Sequence, residues 1–158
     1  FQYLGRSAAK IEFAIGDARL NMEREEPQNY DVIALDAFSS DAIPVHLLTR
    51  EAFEVYARHL RPDGLLAIHI SNRYIDLQPV VLNAAREFGY HHVTVDDDNP
   101  LDEWWIYSST WVILGKDEQL VDAVRQGMLA PEEEPSDTEL PLWTDDYTSL
   151  FPTVHDGS

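Results

Sequence analysis

Apolar residues recur along the chain in two rhythms, and the switches between them predict a succession of strands and helices. Residues 32–35 (VIAL) are too few for a helix and too uniformly apolar for a surface strand, which predicts a buried central strand of a parallel sheet. Residues 65–70 (LLAIHI) predict a second buried strand. Shorter strands are expected at residues 11–15 (IEFAI), 91–95 (HHVTV) and 111–114 (WVIL). Helical spacing takes over between them. Phe53, Tyr56, Ala57 and Leu60 line one face, and Leu77, Val80, Val81, Ala84, Ala85 and Phe88 line another. Asp17, Thr49, Asp76 and Asp117 stand where helix caps are needed. A weaker helix is expected over residues 18–25, ending before Pro27, and a short one after Asp117 carries Leu120, Val121 and Val124.

Strand and helix alternate, so the predicted fold is α/β with a doubly wound, mostly parallel sheet. The last two strands are joined by a loop without a helix, which predicts an antiparallel hairpin at one edge. The domain is expected over residues 1–129, followed by an acidic, Pro-rich linker at 130–141 and a tail at 142–158. The tail opens with the aromatic stretch LWTDDYTSLF and is expected to pack back on the body.

A length of 158 residues and a 44% hydrophobic composition fit a single folded domain. The formal net charge of −18, from 29 acids against 11 bases, changes the picture more. Such a field repels nucleic acid and anionic membranes and draws in cationic ligands. The absence of cysteine rules out disulfides, thiolate catalysis and cysteine-bound zinc. The six histidines contain no helical H-x-x-x-H pair, and no metal site is expected. No run approaches the ~20 apolar residues of a membrane span. No signal peptide is visible, so the expected location is the cytoplasm, alone or as the cytoplasmic part of a larger membrane-associated protein.

Candidate chemistry gathers on acids. Asp36 ends the first central strand, and ligands of open α/β sheets bind beyond the carboxyl ends of the strands. Ser39 and Asp41 follow in a loop that Pro44 ends, and Asn72 follows the 65–70 strand. By position alone, each polar residue here also serves as a turn or cap residue. Asp145 and Asp146 fit a solvated turn or a pocket wall, and Trp104, Trp105 and Tyr107 fit core or interface packing. None of the seven glycines form a G-x-G pair, so the glycine-rich cradle that opens a nucleotide-binding sheet is absent from this chain.

Several motifs occur together in a definite order. They are Gly16-Asp17-Ala18-Arg19, Tyr30-Asp31-Val32-Ile33 with Asp36, Pro44, Leu48-Thr49, Leu60-Arg61-Pro62-Asp63-Gly64, and Trp143-Thr144-Asp145-Asp146-Tyr147. Their order and spacing resemble the polyamine aminopropyltransferase (spermidine synthase) family over about residues 1–151. Within it the chain is similar to the bacterial spermidine-synthase-like domain often fused to transporter-like segments. The resemblance implies a Rossmann-like, class I methyltransferase-type sheet of which the N-terminal strands, with the glycine-rich turn, are missing. It implies aminopropyl transfer from decarboxylated S-adenosylmethionine to a cationic amine, without a metal. By the same resemblance Asp36 takes the place of the general base, and Asp17 and Ala18 that of the adenine-contacting turn. Ser39 stands at the family's spacing, whereas Asp41, the expected amine anchor, is displaced by two positions. Two other readings stay open: methyl transfer from S-adenosylmethionine on the same fold, and a non-catalytic regulatory or assembly module. The isolated chain is expected to be inactive. Its 32–35 strand would expose an apolar edge, to be covered either by residues 11–15 or by a second copy in a homodimer.

Overall fold

The computed structural model describes residues 4–37, 44–72, 75–97, 109–128, 130 and 140–149. Its elements run α1 (Ala18–Arg24), β1 (Tyr30–Leu35), α2 (Arg50–His59), β2 (Leu60–His69), α3 (Gln78–Phe88), β3 (His91–Asp97), β4 (Ser109–Gly115) and α4 (Glu118–Met128). Single 3₁₀ turns sit at Leu4–Arg6 and Val45–Leu47. The four strands form one sheet in the order β1-β2-β4-β3. β1 and β2 are parallel, while β4 runs antiparallel to both β2 and β3. The expected hairpin is therefore β3–β4, and β4 inserts beside β2 so that β3 lies outermost. Ile113 and Val112 pair with Ala67 and Ile68 on one side and with Val93 and Thr94 on the other.

Asp17, Thr49 and Asp117 cap α1, α2 and α4 as expected, whereas α3 starts after Leu77 without a side-chain cap, and the expected cap Asp76 accepts the Gln78 amide instead. Thr49 Oγ1 accepts the amide of Ala52 and caps α2, and Gly89 ends α3. Phe53, Tyr56, Val81, Ala84, Leu66, Ile68, Val112 and Leu114 meet in the main core. Trp143 is 1% exposed within the same core, and its carbonyl accepts the Arg50 amide, which holds residues 140–149 against α2. Beside the predicted stripe, at the end of α2, His59 is fully buried. Its ring lies by Tyr30 and its Nε2 donates to the Met22 carbonyl, while Arg58 donates to the same carbonyl. Those contacts take up the last carbonyls of α1 and bind it to α2.

Two expectations fail at the sheet's other edge. Residues 11–15 do not form a strand, and Phe13 and Ile15 are 75% and 97% exposed. Alternating apolar residues make a strand only where a neighbour accepts their backbone hydrogen bonds, and here none pairs with them. β1 in turn is an edge strand, not a central one. Its side chains alternate, with Ile33 and Leu35 buried and Val32 55% exposed. An apolar run makes a central strand only when a neighbour pairs along each edge, and residues 11–15 do not pair with β1.

Between Tyr30 and Val32 the β1–β2 register slips, and residues 61–64 of β2 take up the slack. Gly64 lies at this bulge. A Cβ there would sit 2.9 Å from the Tyr30 carbonyl oxygen and 3.1 Å from that of Arg61, both fixed backbone atoms. Gly64→Ala is therefore expected to destabilise the chain by ~1–3 kcal/mol, seen as a lower urea midpoint with an unchanged slope. No helix among the described residues is long and apolar enough to cross a membrane.

Candidate functional site

Polar side chains collect beyond the carboxyl ends of β1 and β2. Leu35 pairs with Ile68, so the next residues, Asp36 and His69, stand side by side. His69 Nδ1 lies 2.8 Å from Asp36 Oδ1, and its Nε2 lies 2.7 Å from Ser71 Oγ. The amide of Thr110 donates to Ser71 Oγ at 2.7 Å, tying this row to β4. The His69 ring stacks on Trp111 with centroids 4.9 Å apart. Asp36 itself is open to solvent, its side chain 69% exposed against 20% for His69. Asn72 lies just past the same strand end, where its Oδ1 accepts the Ile75 amide. Ser39 and Asp41, with Trp104, Trp105 and Tyr107, lie outside the described residues.

A second cluster forms around the start of α1. Gly16 has φ +129°, a conformation that suits glycine, and this turn presents Asp17 to the helix. Asp17 Oδ1 accepts the Leu20 amide as an N-cap, and Oδ2 lies 2.8 Å from His46 Nε2. The capping amide holds the Asp17 carboxyl below its usual range, helped by His46. Ala18, the first residue of the helix, is exposed.

Arg19 turns the other way and is 9% exposed. It forms a two-pronged ion pair with Asp145, Nη1–Oδ1 at 2.7 Å and Nη2–Oδ2 at 2.5 Å. It also donates to Glu23, to the His46 carbonyl and to Thr49 Oγ1. The Thr49 hydroxyl in turn donates to Asp145 Oδ1 at 2.8 Å. Beside Arg19, the Asp145 carboxyl is held down at about 2, and Asp145 in turn raises the Arg19 guanidinium further. An open cavity of about 750 Å³ lies over this cluster, bordered by Asp17, Leu20, Val45, His46, Thr49 and Thr148.

Sequence reading finds Asp36 and Asp17 but misses the groups that hold them. His69 belongs to an apolar strand, yet the rule that marks Asp36, an ionisable group where a strand ends, marks it as well. Arg19 stands inside the Gly-Asp-Ala-Arg motif, but its partner is 126 positions away, a pairing no local pattern reveals.

An open mixed sheet in which β1, β2 and β3 share one direction and β4 is let in antiparallel between β2 and β3, with polar groups at the carboxyl ends of β1 and β2, defines a Rossmann-like domain of the methyltransferase type. Among solved structures its fold is that of spermidine synthases. A probable spermidine synthase from Corynebacterium glutamicum ATCC 13032 matches with a TM-score of 0.50 and 24% identity, over 81% of this chain and 56% of its own. A spermidine synthase in complex with the transition-state analogue AdoDATO matches with a TM-score of 0.53 and 14% identity, over 90% of this chain and 47% of its own. The chain thus spans about half the length of these structures. No family model matches it, and no curated relative does.

Proposed function

We propose that the whole protein carrying this chain transfers an aminopropyl group from decarboxylated S-adenosylmethionine to a cationic amine, with Asp36 as general base. The observation that carries this reading is the Asp36 carboxylate at a strand's carboxyl end, largely in solvent, with its hydrogen bond on Oδ1. A primary ammonium with a pKa near ~10 is almost wholly protonated at neutral pH and has no lone pair to attack with. Asp36 accepts one of its protons. The freed lone pair then forms a C–N bond to the methylene carbon beside the sulfonium, the C–S bond breaks, and its electron pair leaves with sulfur as a neutral thioether. The nitrogen keeps its two remaining protons and is cationic again once alkylated, so one proton is released and Asp36 hands it to solvent.

Asp17 and the exposed Ala18 are proposed to meet the adenine of the donor at the open cavity over α1. Ser39 and Asp41 are proposed to meet the amine, and Asn72 to border its entrance. The fold likeness to the AdoDATO-bound spermidine synthase and the net charge of −18 both support a doubly cationic pair of reactants. Titration calorimetry of the whole protein tests the reading. Decarboxylated S-adenosylmethionine is expected to bind at least tenfold more tightly than S-adenosylmethionine, whose extra carboxylate meets an acidic surface. Tighter binding of the carboxylated donor would replace aminopropyl with methyl transfer.

A further inference from the structure

We propose that His69 is a positioning residue for Asp36, with its tautomer set by Ser71, and that this row of hydrogen bonds aims the carboxylate. The inference rests on the general-base reading above but comes from geometry of its own. Ser71 Oγ receives the Thr110 amide proton at 2.7 Å, which leaves the hydroxyl proton to point elsewhere. His69 Nε2 lies 2.7 Å from the same oxygen and takes that proton. An imidazole that accepts at Nε2 carries its own proton at Nδ1, and Nδ1 lies 2.8 Å from Asp36 Oδ1. Every link in the row therefore has one donor and one acceptor, running from the Thr110 amide through Ser71 and His69 to Asp36.

The row is also held in place. His69 ends β2, Ser71 is bonded to β4, and the ring is stacked on Trp111 with an interplanar angle of 21°. Asp36, 69% exposed and just past the end of β1, has its side chain bonded to His69 alone among the described residues. A donor on Oδ1 leaves Oδ2 as the oxygen that receives the amine's proton. When that proton arrives on Oδ2, Oδ1 still accepts from Nδ1, so the row persists through the step and carries no proton itself. His69 acts through Asp36, to which it is bonded, so its effect is expected on turnover. Misplacing a reacting group by about 1 Å can lower a rate ~100-fold.

Two measurements test the inference. In the 158-residue chain, nitrogen-correlated NMR of the imidazole at mildly alkaline pH is expected to show His69 protonated at Nδ1. Ser71→Ala is expected to shift it towards a mixture of tautomers. A dominant Nε2–H form in the unaltered chain would overturn the proposal whatever the turnover shows. In the whole protein, His69→Ala is expected to lower kcat ~10- to 100-fold with the KM for the donor changed less than about twofold. His69→Asn, whose amide nitrogen can occupy the Nδ1 position, is expected to recover most of the loss. A His69→Ala kcat within twofold of the unaltered enzyme, beside an inactive Asp36→Asn, would overturn the positioning role and leave the base role standing. Full activity in Asp36→Asn would overturn both.

Discussion

Asp36→Asn is expected to lower kcat of the whole protein by ~10²- to 10⁴-fold, the range typical of a lost general base. Asparagine keeps the side chain's shape, and its carbonyl oxygen can still accept from His69 Nδ1, so the replacement removes proton affinity with little change of structure. The KM for the donor should move little, because its adenine is proposed to be met by Asp17 and Ala18, away from Asp36. The deficit should also shrink as pH rises. An acceptor amine loses its own proton as the pH approaches ~10, and a neutral amine needs no base to begin its attack. Steady-state rates of both forms across neutral to alkaline pH check this. Equal turnover at neutral pH would take Asp36 out of the mechanism and favour a non-catalytic module. A deficit that stays constant with pH would point to lost positioning alone.

Asp145→Asn is expected to destabilise the fold through the ion pair it makes with Arg19. Arg19 is 9% exposed, and Asp145 supplies both prongs of its main ion pair. Removing one partner of a buried pair costs ~3–5 kcal/mol. Here Glu23 remains as a second anion for Arg19, and the Asp145 side chain is 43% exposed. Those two facts bring the expected loss down to ~1–3 kcal/mol at neutral pH. The acid dependence follows from the depressed carboxyl. The folded state holds Asp145 at about 2 against an ordinary 3.8, so folding favours the ionised form. The stabilisation is complete above the ordinary value and fades as pH falls towards about 2. Urea unfolding of both forms should therefore differ most near neutrality and converge near the acid end of that window. A difference that persisted unchanged at the acid end would assign the effect to packing and not to charge.

The parts legible in the sequence are those that local chemistry controls. Thr49 caps α2, Gly89 stops α3, and the α3 stripe from Leu77 to Ala85 is buried because i, i+3, i+4 spacing needs no knowledge of the remaining chain. The β3–β4 hairpin was readable for the same reason. What stayed hidden depends on neighbours. Residues 11–15 have the alternation of a strand but no strand to pair with, and Val32 is apolar yet faces solvent because β1 ends the sheet. His59 looks like a helix-end cation until the Met22 carbonyl and the Tyr30 ring are beside it. At the candidate site, Asp36 was legible from the end of an apolar run. The contact with His69 appears only when the register sets Leu35 against Ile68.

The bond between Arg19 and Asp145 joins positions 126 apart, so it can form only after all the chain between them has been made. Helices α1 and α2 leave the ribosome long before Asp145 does. Throughout that interval the guanidinium of Arg19 lacks its principal counter-ion, and the corner beside Asp17, His46 and Thr49 stays unsealed. Completion of this cleft thus waits for the synthesis of Asp145, and a nascent product cut short before it would carry Asp17 and Glu23 without the clasp that shapes them.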